Sequence, residues 1–329
     1  MLQPASSGSP GSMKIIHHPS GLGVIHPRIS LAIGVFDGVH LGHQHIIRQT
    51  LALARQHAAL SVVVTFDRHP NSVVAPDRVP PLLYSKEQKI RSLQSLGPDV
   101  LWEIHFDRAF SLLSGDEFIR EMVQSLGNIQ SICVGADFVF GHKRSGNLAL
   151  LSQLGLLHGF QVHGLDAVSL DGHTISSTRI RELVRNGDFA GASHMLGRPY
   201  SLAGRVVMGD QLGRQLGFPT ANLDAVDRAI PSPGVYAGST HFQGQTYAVA
   251  MNIGTRPTLQ HSQPRLCVEA HLLDFQGQLY GEELEIQIQA KLREEKKFQS
   301  TQALKQQIGL DITAVRTLAK EVQAGFLSP

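Results

Sequence analysis

Short apolar runs alternate with helix-length amphipathic stretches across the first half of the chain, and this alternation constrains the fold more than any other feature. The runs predict buried strands at 29–35, 60–66, 100–106, 131–138 and 160–168. The spacing between them predicts helices over 43–58, 85–97 and 114–127, the last with a capping box of Ser114 and Glu117. We therefore predict a Rossmann-like α/β domain with a parallel sheet, which binds ligands at the carboxyl ends of its strands. The helix over 85–97 carries no chemical signature.

The pattern changes near residue 196, where short β-rich runs are separated by turn sequences. Two FQGQ segments, at 242–245 and 275–278, look like hairpin turns between alternating strands. An antiparallel β-barrel would close such a set of strands, and a helix over 300–323 ends the sequence. We predict a flexible tail over 1–13, an α/β domain over 14–190 and a barrel domain over 196–326. Met13 could be an alternative start.

The composition, with 42% hydrophobic and 17% charged residues, is that of a globular protein. The 329 residues include 29 basic and 27 acidic side chains, and a net charge of +2 gives no strong electrostatic reason to expect a nucleic-acid partner. No apolar run reaches the roughly 18 residues that span a bilayer. Cys133 and Cys267 lie far apart in apolar runs, which favours buried free thiols and a reducing cytoplasm. We expect a cytoplasmic protein, monomeric or weakly homo-oligomeric, without membrane partners.

The segment GVFDGVHLGHQ, residues 34–44, follows the first predicted strand and opens the first predicted helix. The amide groups at a helix start lack intrahelical partners and attract anions, and glycines let a phosphate approach the backbone. His40 and His43 would project together into that place, where imidazoles donate hydrogen bonds to phosphate oxygens. The alternative is a glycine turn with two surface histidines. The agreement of strand, turn, histidine pair and helix favours a phosphate site.

This segment resembles the HxGH signature of class I nucleotidyltransferases. In its full context it resembles the bacterial FAD synthetases, a family of bifunctional riboflavin kinases and FMN adenylyltransferases. The resemblance spans about residues 29–318 and implies that His40 and His43 stabilise charge while FMN attacks ATP to give FAD and pyrophosphate. It also implies ATP contacts by other residues of the α/β domain, namely Gly34, Phe36, Asp37, Gly38, Asp137, Ser177, Thr178 and Arg181.

The resemblance also implies substrate contacts for three further segments of the α/β domain. TISSTRIRELV (174–184) offers hydroxyl and guanidinium groups that suit phosphates. Taken alone it is better explained as an ordinary capped helix, and its pairing with the HxGH segment favours phosphate contact. GADFVFGHKRSGN (135–147) resembles the family's nucleotide loop and would otherwise be a plain strand exit. TFDRHP (65–70) resembles the family's TFxPHP segment, with Arg68 in place of a proline, and would otherwise be a polar turn. The resemblance implies flavin contacts here by Asp67, His69 and Asn71.

The second domain has its own candidate phosphate loop, GDQLGRQLGFPTANLD (209–224). Glycine-rich loops wrap phosphates with backbone amides, and hydroxyl and amide oxygens suit Mg²⁺. The alternative is a flexible hairpin with a proline turn. GFPTANL resembles the flavokinase signature, which implies that Thr220 and Asn222 hold Mg²⁺. The ATP contacts implied for the kinase are Gly209, Gly213, Arg214, Gly217, Phe218, Pro219, Thr220 and Asn222.

Glu269 lies mid-strand in VEAHLLDF, where a carboxylate could point into the mouth of a barrel. Phosphorylating an alcohol needs a base near the hydroxyl, and the resemblance implies that Glu269 is that base for riboflavin. A solvent-facing edge-strand glutamate is the alternative. The resemblance also implies flavin contacts by Asn252 and Arg293. Two other functions stay open: an enzyme with one active domain, and a flavin- or nucleotide-sensing binding protein.

Overall fold

The computed structural model describes residues 13–22, 28–209, 212–225, 227–256 and 265–325. The chain divides into two compact units. The first consists of the residues up to Pro80 together with Lys86–Ser176, and the second of Pro81–Ser85 together with the residues from Ser177 onward. The predicted tail lies outside the described residues except for Met13, which is buried in the core of the first unit.

The first unit is built on a six-stranded parallel sheet in the order β1-β4-β3-β2-β5-β6, with a small hairpin of β7 and β8 beside it. Its strands are β1 (Lys14–Ile16), β2 (Ile29–Ile33), β3 (Leu60–Phe66), β4 (Val100–Ile104), β5 (Ile129–Gly135), β6 (Gln161–Leu165), β7 (Ser169–Leu170) and β8 (His173–Thr174). Its helices are α1 (Leu41–Gln56), α2 (Asn71–Val74), α3 (Lys86–Gln94), α4 (Gly115–Leu126) and α5 (Leu148–His158). The strand order reverses between β2 and β5, and ligands of such sheets bind at that switch point.

The side chains of the sheet strands pack on both faces because consecutive residues of a strand point to opposite sides. Leu31 and Val64 pack with α4 and α5, whereas Ala32 and Val63 pack with α1 and α3. Burial of each valine or leucine side chain contributes about 1.5–3 kcal/mol. The predicted capping box of Ser114 and Glu117 is present at the start of α4.

The second unit contains a closed antiparallel barrel in the order β10-β13-β12-β11-β14-β9. Its strands are β9 (Ser201–Val207), β10 (Ala221–Asp224), β11 (Gly234–Phe242), β12 (Gln245–Arg256), β13 (Arg265–Leu272) and β14 (Glu283–Arg293). Its helices are α6 (Ser177–Arg185), α7 (Phe189–Leu196), α8 (Leu212–Gln215) and α9 (Thr301–Gly325). The predicted α/β sheet, antiparallel barrel and terminal helix are all confirmed.

Alternation along the barrel strands separates an apolar interior from an outer face. Val249, Met251 and Val268 are buried in the interior, whereas Ala248 and Ala250 lie on the outer face and pack against α9. Small side chains on that outer face let the helix lie close to the strands.

Two details differ from the sequence-based expectations. The first FQGQ segment is a hairpin turn between β11 and β12, but the second is not, because β13 and β14 pair with other strands of the barrel. Both cysteines are free thiols, as predicted. Cys133 is buried, but Cys267 is only half-buried because it lies on the outer face of β13.

Candidate functional site

The first candidate site is the turn that joins β2 to α1, at the switch point of the sheet. Phe36, Gly38 and Val39 all have positive φ angles, of 52°, 77° and 40°. This region is costly for side chains other than glycine, and most of all for a β-branched valine. Gln44 braces the turn, since its Nε2 donates to the carbonyl of Val39 at 3.0 Å. Gly34 is needed because a Cβ there would lie 2.9 Å from the Phe36 ring.

His40 and His43 come together at the first turn of α1. The backbone N–H of His43 donates to Nδ1 of His40 at 3.3 Å, so His40 caps the helix. The two rings stack with their centroids 3.6 Å apart. Because Nδ1 of His40 accepts a hydrogen bond, the proton of the neutral ring lies on Nε2, a tautomer assigned from this contact. Nε2 is therefore a donor for an anion beside the helix N-terminus.

Gly42, in the first turn of α1, is tightly packed against the histidine pair. A Cβ on Gly42 would lie 3.2 Å from the His40 ring and 3.8 Å from the carbonyl of Ile175. Ile175 thus lies beside the helix start, and the predicted phosphate residues Ser177, Thr178 and Arg181 follow it in the chain. These three belong to the second unit, at the start of α6, so their approach to the histidines stays a prediction. The Nε of Arg181 donates to the carbonyl of Pro81 at 2.6 Å.

Asp137 follows β5, the strand next to β2 at the switch point. It is exposed, in a turn where the N–H of Phe138 donates to the carbonyl of Gly135 at 3.0 Å. A Cβ on Gly135 would lie 3.0 Å from Oδ1 of Asp137. Asp137 is therefore placed at the same edge of the sheet as the histidine pair.

The TFDRHP segment forms a tightly bonded corner after β3. Asp67 accepts the backbone N–H of Phe106 at 3.0 Å and faces Nδ1 of His105 at 2.7 Å. Burial alone would raise the pKa of Asp67, but the hydrogen bonds from Phe106, Arg68 and His105 outweigh it and lower the pKa to about 2.

The other two predicted flavin residues of this corner are also bonded locally. His69 Nδ1 accepts the N–H of Asn71 at 3.1 Å, and the Asn71 amide donates to the carbonyl of Arg78 at 2.8 Å. These hydrogen bonds of His69 and Asn71 stabilise the backbone of the corner. A contact of the two side chains with a flavin stays a prediction.

A cavity of about 520 Å³ opens near the carboxyl ends of β1 and β4 in the first unit. Trp102, Phe110 and Phe118 give it an aromatic wall, and His17, His18 and His105 add polar edges. The sequence alone does not indicate this cavity, because its lining comes from four separate segments.

The second candidate site is a row of polar residues across three barrel strands. Glu269 on β13 lies opposite Asn222 on β10 and opposite Asn252 on β12. Directly opposed residues point to the same face, with Cβ atoms about 5 Å apart. Val268 and Ala270 fill the barrel interior, so the row lies on the outer face of the wall. Glu269 therefore lies on the outer face of the barrel, whereas the sequence had suggested that its carboxylate could point into the barrel mouth.

Two glycines of the predicted phosphate loop lie against the polar side chains that follow it. A Cβ on Gly209 would collide with the Asn222 amide, and one on Gly213 would collide with the carbonyl of Phe218 and lie 3.0 Å from Thr220 Oγ1. Residues 210 and 211 of this loop lie outside the described residues. The loop backbone at Gly209 and Gly213 therefore packs closely against the side chains of Asn222 and Thr220.

The turn that carries Phe218, Pro219 and Thr220 is held from both sides. Gly217 has a φ of 88°, and the N–H of Phe218 donates to the carbonyl of Gly213 at 2.8 Å. His271 Nδ1 donates to the carbonyl of Pro219 at 2.7 Å. His271 was not predicted as a site residue, although its position two residues after Glu269 places it on the same face of β13.

A cavity of about 350 Å³ lies beside this turn. Arg214, Pro219 and Thr220 line one side, and the 275–280 segment with Tyr280 lines the other. Three of the residues predicted to bind ATP in the kinase thus share one cavity.

Two comparisons identify the protein's family. Residues 24–179 match the family described as FAD synthetase, and residues 196–319 match the family described as Riboflavin kinase. A bifunctional riboflavin kinase/FMN adenylyltransferase from Pseudomonas fluorescens is 40% identical over 87% of this chain and 92% of its own length. The chain belongs to the bifunctional riboflavin kinase/FMN adenylyltransferase family.

A second curated relative agrees with this assignment, and one solved structure is similar over most of the chain. The bifunctional riboflavin kinase/FMN adenylyltransferase from Escherichia coli K12 is 36% identical over 87% of this chain and 91% of its own length. A crystal structure from Streptococcus pneumoniae, of a protein named a macrolide-efflux protein, has a TM-score of 0.77 and 29% identity. The match covers 92% of this chain and 98% of that protein's chain.

None of the helices that the structure describes has the length and hydropathy of a membrane-spanning segment.

The family assignment confirms the predicted enzyme class, with a kinase and a nucleotidyltransferase in one chain.

Arg293, which is predicted to contact flavin, forms an ion pair with Asp311 of α9. Its Nε and one Nη donate to the Asp311 carboxylate at 3.0 and 2.7 Å. This ion pair, between half-buried Arg293 and buried Asp311, joins β14 to α9, and a flavin contact by Arg293 stays a prediction.

Proposed function

We propose that the two units divide the two reactions of the family. The first unit transfers an adenylyl group from ATP to FMN at His40 and His43, and the second phosphorylates riboflavin with Glu269 as base. The observation that supports this most is the row of Asn222, Glu269 and Asn252, because it places one carboxylate between two amides beside a glycine-rich loop.

In adenylyl transfer, a phosphate oxygen of FMN attacks the α-phosphorus of ATP while the bond from that phosphorus to the α,β-bridging oxygen breaks, so FAD and pyrophosphate form. No proton must move and no enzyme ester is needed. His40 and His43 donate hydrogen bonds to the oxygens that gain charge, and the first amides of α1 add to the positive potential. We propose that Ser177, Thr178 and Arg181 bind the outer phosphates, and that Asp137 contacts the nucleotide.

In the kinase reaction, Glu269 accepts the proton of the riboflavin 5′-hydroxyl as its oxygen attacks the γ-phosphorus of ATP. The bond to the β,γ-bridging oxygen breaks, and FMN and ADP form. The flanking amides of Asn222 and Asn252 orient the carboxylate and the hydroxyl. The loop from Gly209 to Pro219 covers the phosphates.

Mg²⁺ fits the residues at the loop. The hydroxyl of Thr220 and the amide oxygen of Asn222 are hard oxygen donors, and the glycines leave a cradle beside them that a Cβ would fill. We propose that these two side chains hold Mg²⁺, which would neutralise charge on the ATP phosphates when bound. In the described part of the chain, no group of three or more acidic, histidine or cysteine side chains forms a metal cluster.

The two cavities suit the two kinds of substrate. The aromatic wall of Trp102, Phe110 and Phe118 suits a flavin ring, and the cavity at Arg214 and Thr220 suits ATP. We propose the first for the isoalloxazine of FMN and the second for ATP of the kinase. We further propose a cytoplasmic protein, monomeric or weakly self-associating and without nucleic-acid partners, which light scattering and cell fractionation would test.

The test is a pair of substitutions in the full chain. His43→Ala should lower FAD formation from FMN by about 10²–10³-fold and leave FMN formation from riboflavin near normal. Glu269→Ala should lower FMN formation from riboflavin and leave FAD formation from supplied FMN near normal. His45→Ala, on the exposed side of the same helix turn, and Glu321→Ala, on the exposed side of α9, are matched controls.

Flavins would be separated by chromatography after incubation with ATP and Mg²⁺. Loss of both activities in either folded variant would contradict the two-site assignment. FMN without FAD from the wild-type protein would indicate a kinase alone, and unchanged riboflavin would indicate a binding protein.

A further inference from the structure

Lys89 lies on α3, in the segment whose sequence carries no chemical signature. Its half-buried ammonium group donates to the carbonyl of Phe66 at 2.8 Å and approaches Oγ1 of Thr65 at 3.5 Å. The Thr65 hydroxyl in turn donates to the carbonyl of Val35 at 3.1 Å. Lys89 therefore joins the carboxyl end of β3 to the carboxyl end of β2.

The residue that follows Val35 begins the strained turn of the first site. The positive φ angles of Phe36 and Val39 cost about 1–3 kcal/mol each, so the turn keeps its shape only if surrounding contacts determine it. The Lys89–Thr65–Val35 chain fixes the point at which the strained backbone departs from the sheet. Helix α3 also packs directly against the Asp37–Val39 turn.

Charge supports the same arrangement. Burial lowers the pKa of Lys89, whereas the carboxylates of Glu103, Asp37 and Asp67 act in the opposite direction. Lys86, the neighbouring lysine of the helix, serves a different partner, since its Nζ donates to Glu103 at 2.6 Å. Asp37 is buried within the turn, so the positive charge of Lys89 compensates an anion that would otherwise repel phosphates.

We propose that Lys89 is a positioning residue for adenylyl transfer, which holds the turn that presents His40 and His43 to the phosphates. It touches no reacting atom, and its effect passes through Thr65 and the turn. The proposal rests on the proposed role of the two histidines.

The experiment compares Lys89→Met with Lys86→Met, the same change one helical turn away. Because a displacement of about 1 Å in a catalytic group can cost about 10²-fold, we expect Lys89→Met to lower kcat for FMN adenylylation by that order. KM for FMN and ATP should change little, since the lost contact acts on the transition state. Lys86→Met should retain kcat, and riboflavin phosphorylation should be unchanged in both variants.

A second pair keeps the test decisive where Lys89→Met fails to fold. Thr65→Val removes the linking hydroxyl with little change in shape, and Thr65→Ser keeps it. We expect Thr65→Val to lower kcat for adenylylation about 10-fold and Thr65→Ser to restore most of it. Fluorescence of Trp102, the single tryptophan, reports whether the first unit is folded.

The proposal is overturned if folded Lys89→Met keeps its kcat, or if Thr65→Val and Thr65→Ser behave alike. A raised KM with normal kcat would also overturn it. His43→Ala separates the two levels of inference. If His43→Ala leaves adenylylation intact, the proposed function itself is wrong. If it abolishes adenylylation while the Lys89 and Thr65 variants do not, only the role of Lys89 is wrong.

Discussion

Substitution of Asp67 by asparagine should make the stability of the first unit less dependent on acid pH. The hydrogen bonds from Phe106, Arg68 and His105 lower the pKa of Asp67 from its ordinary value of 3.8 to about 2. A carboxyl with a lowered pKa stabilises the fold fully above its ordinary pKa. That contribution is lost as the pH falls through the folded-state value.

The gap between 3.8 and about 2 corresponds to roughly 2.5 kcal/mol, at 1.36 kcal/mol for each pKa unit. The side chains of Arg68 and His105 are 49% and 62% exposed, so solvent screens part of their attraction. Asparagine keeps an acceptor for the Phe106 N–H. We therefore expect Asp67→Asn to be less stable than wild type by roughly 1–2 kcal/mol at pH 7.

The assay is urea unfolding of the full chain, followed by the fluorescence of Trp102, which is buried on β4 near His105. At pH 3 the difference between variant and wild type should shrink to roughly half. Asp166→Asn, at an exposed position of the same unit, should change stability by less than about 0.5 kcal/mol. An equal difference at pH 7 and pH 3, or none at pH 7, would refute the reasoning.

Two further predictions concern the kinase. Gly213→Ala should lower the rate of riboflavin phosphorylation by at least about 10-fold, because the added Cβ would collide with the carbonyl of Phe218. Adenylylation of supplied FMN should stay intact. An equal loss in both assays would count against a local effect. Thr220→Ala should raise the Mg²⁺ concentration needed for half-maximal phosphorylation about 10-fold, while Thr220→Ser should not. A Mg²⁺ titration that is the same for both Thr220 variants would contradict the assignment.

Where local pattern decides structure, the sequence predicted the fold well. The strand at 60–66 matches β3 to the residue, and the capping box at Ser114 forms as its spacing predicts. The helix α5 was missed because leucines occupy exposed positions, such as Leu156 and Leu157, as well as buried ones, so its sequence shows no amphipathic pattern. Strand β1 has only three residues, so alternation along the chain cannot reveal it.

The candidate sites were predictable in part. The histidine pair and the polar row belong to segments with dense local signatures, so their members could be named in advance. The positive φ angle of Val39 and the reach of Lys89 to Phe66 depend on tertiary packing, which no local pattern encodes. Arg293 shows the opposite case, because its resemblance to a ligand contact gave no sign of its partner Asp311.

The alternation of β13 links the barrel's packing to its chemistry. Val268 and Ala270 face the interior on either side of Glu269, which faces outward. A one-residue slip in pairing would turn the carboxylate into the apolar interior and place a valine or alanine between the two asparagines. Because that slip would bury a charge, the hydrophobic core selects the same strand register that the kinase reaction requires. Misfolded barrels with an inactive register are thus disfavoured during folding itself, without any contribution from substrate.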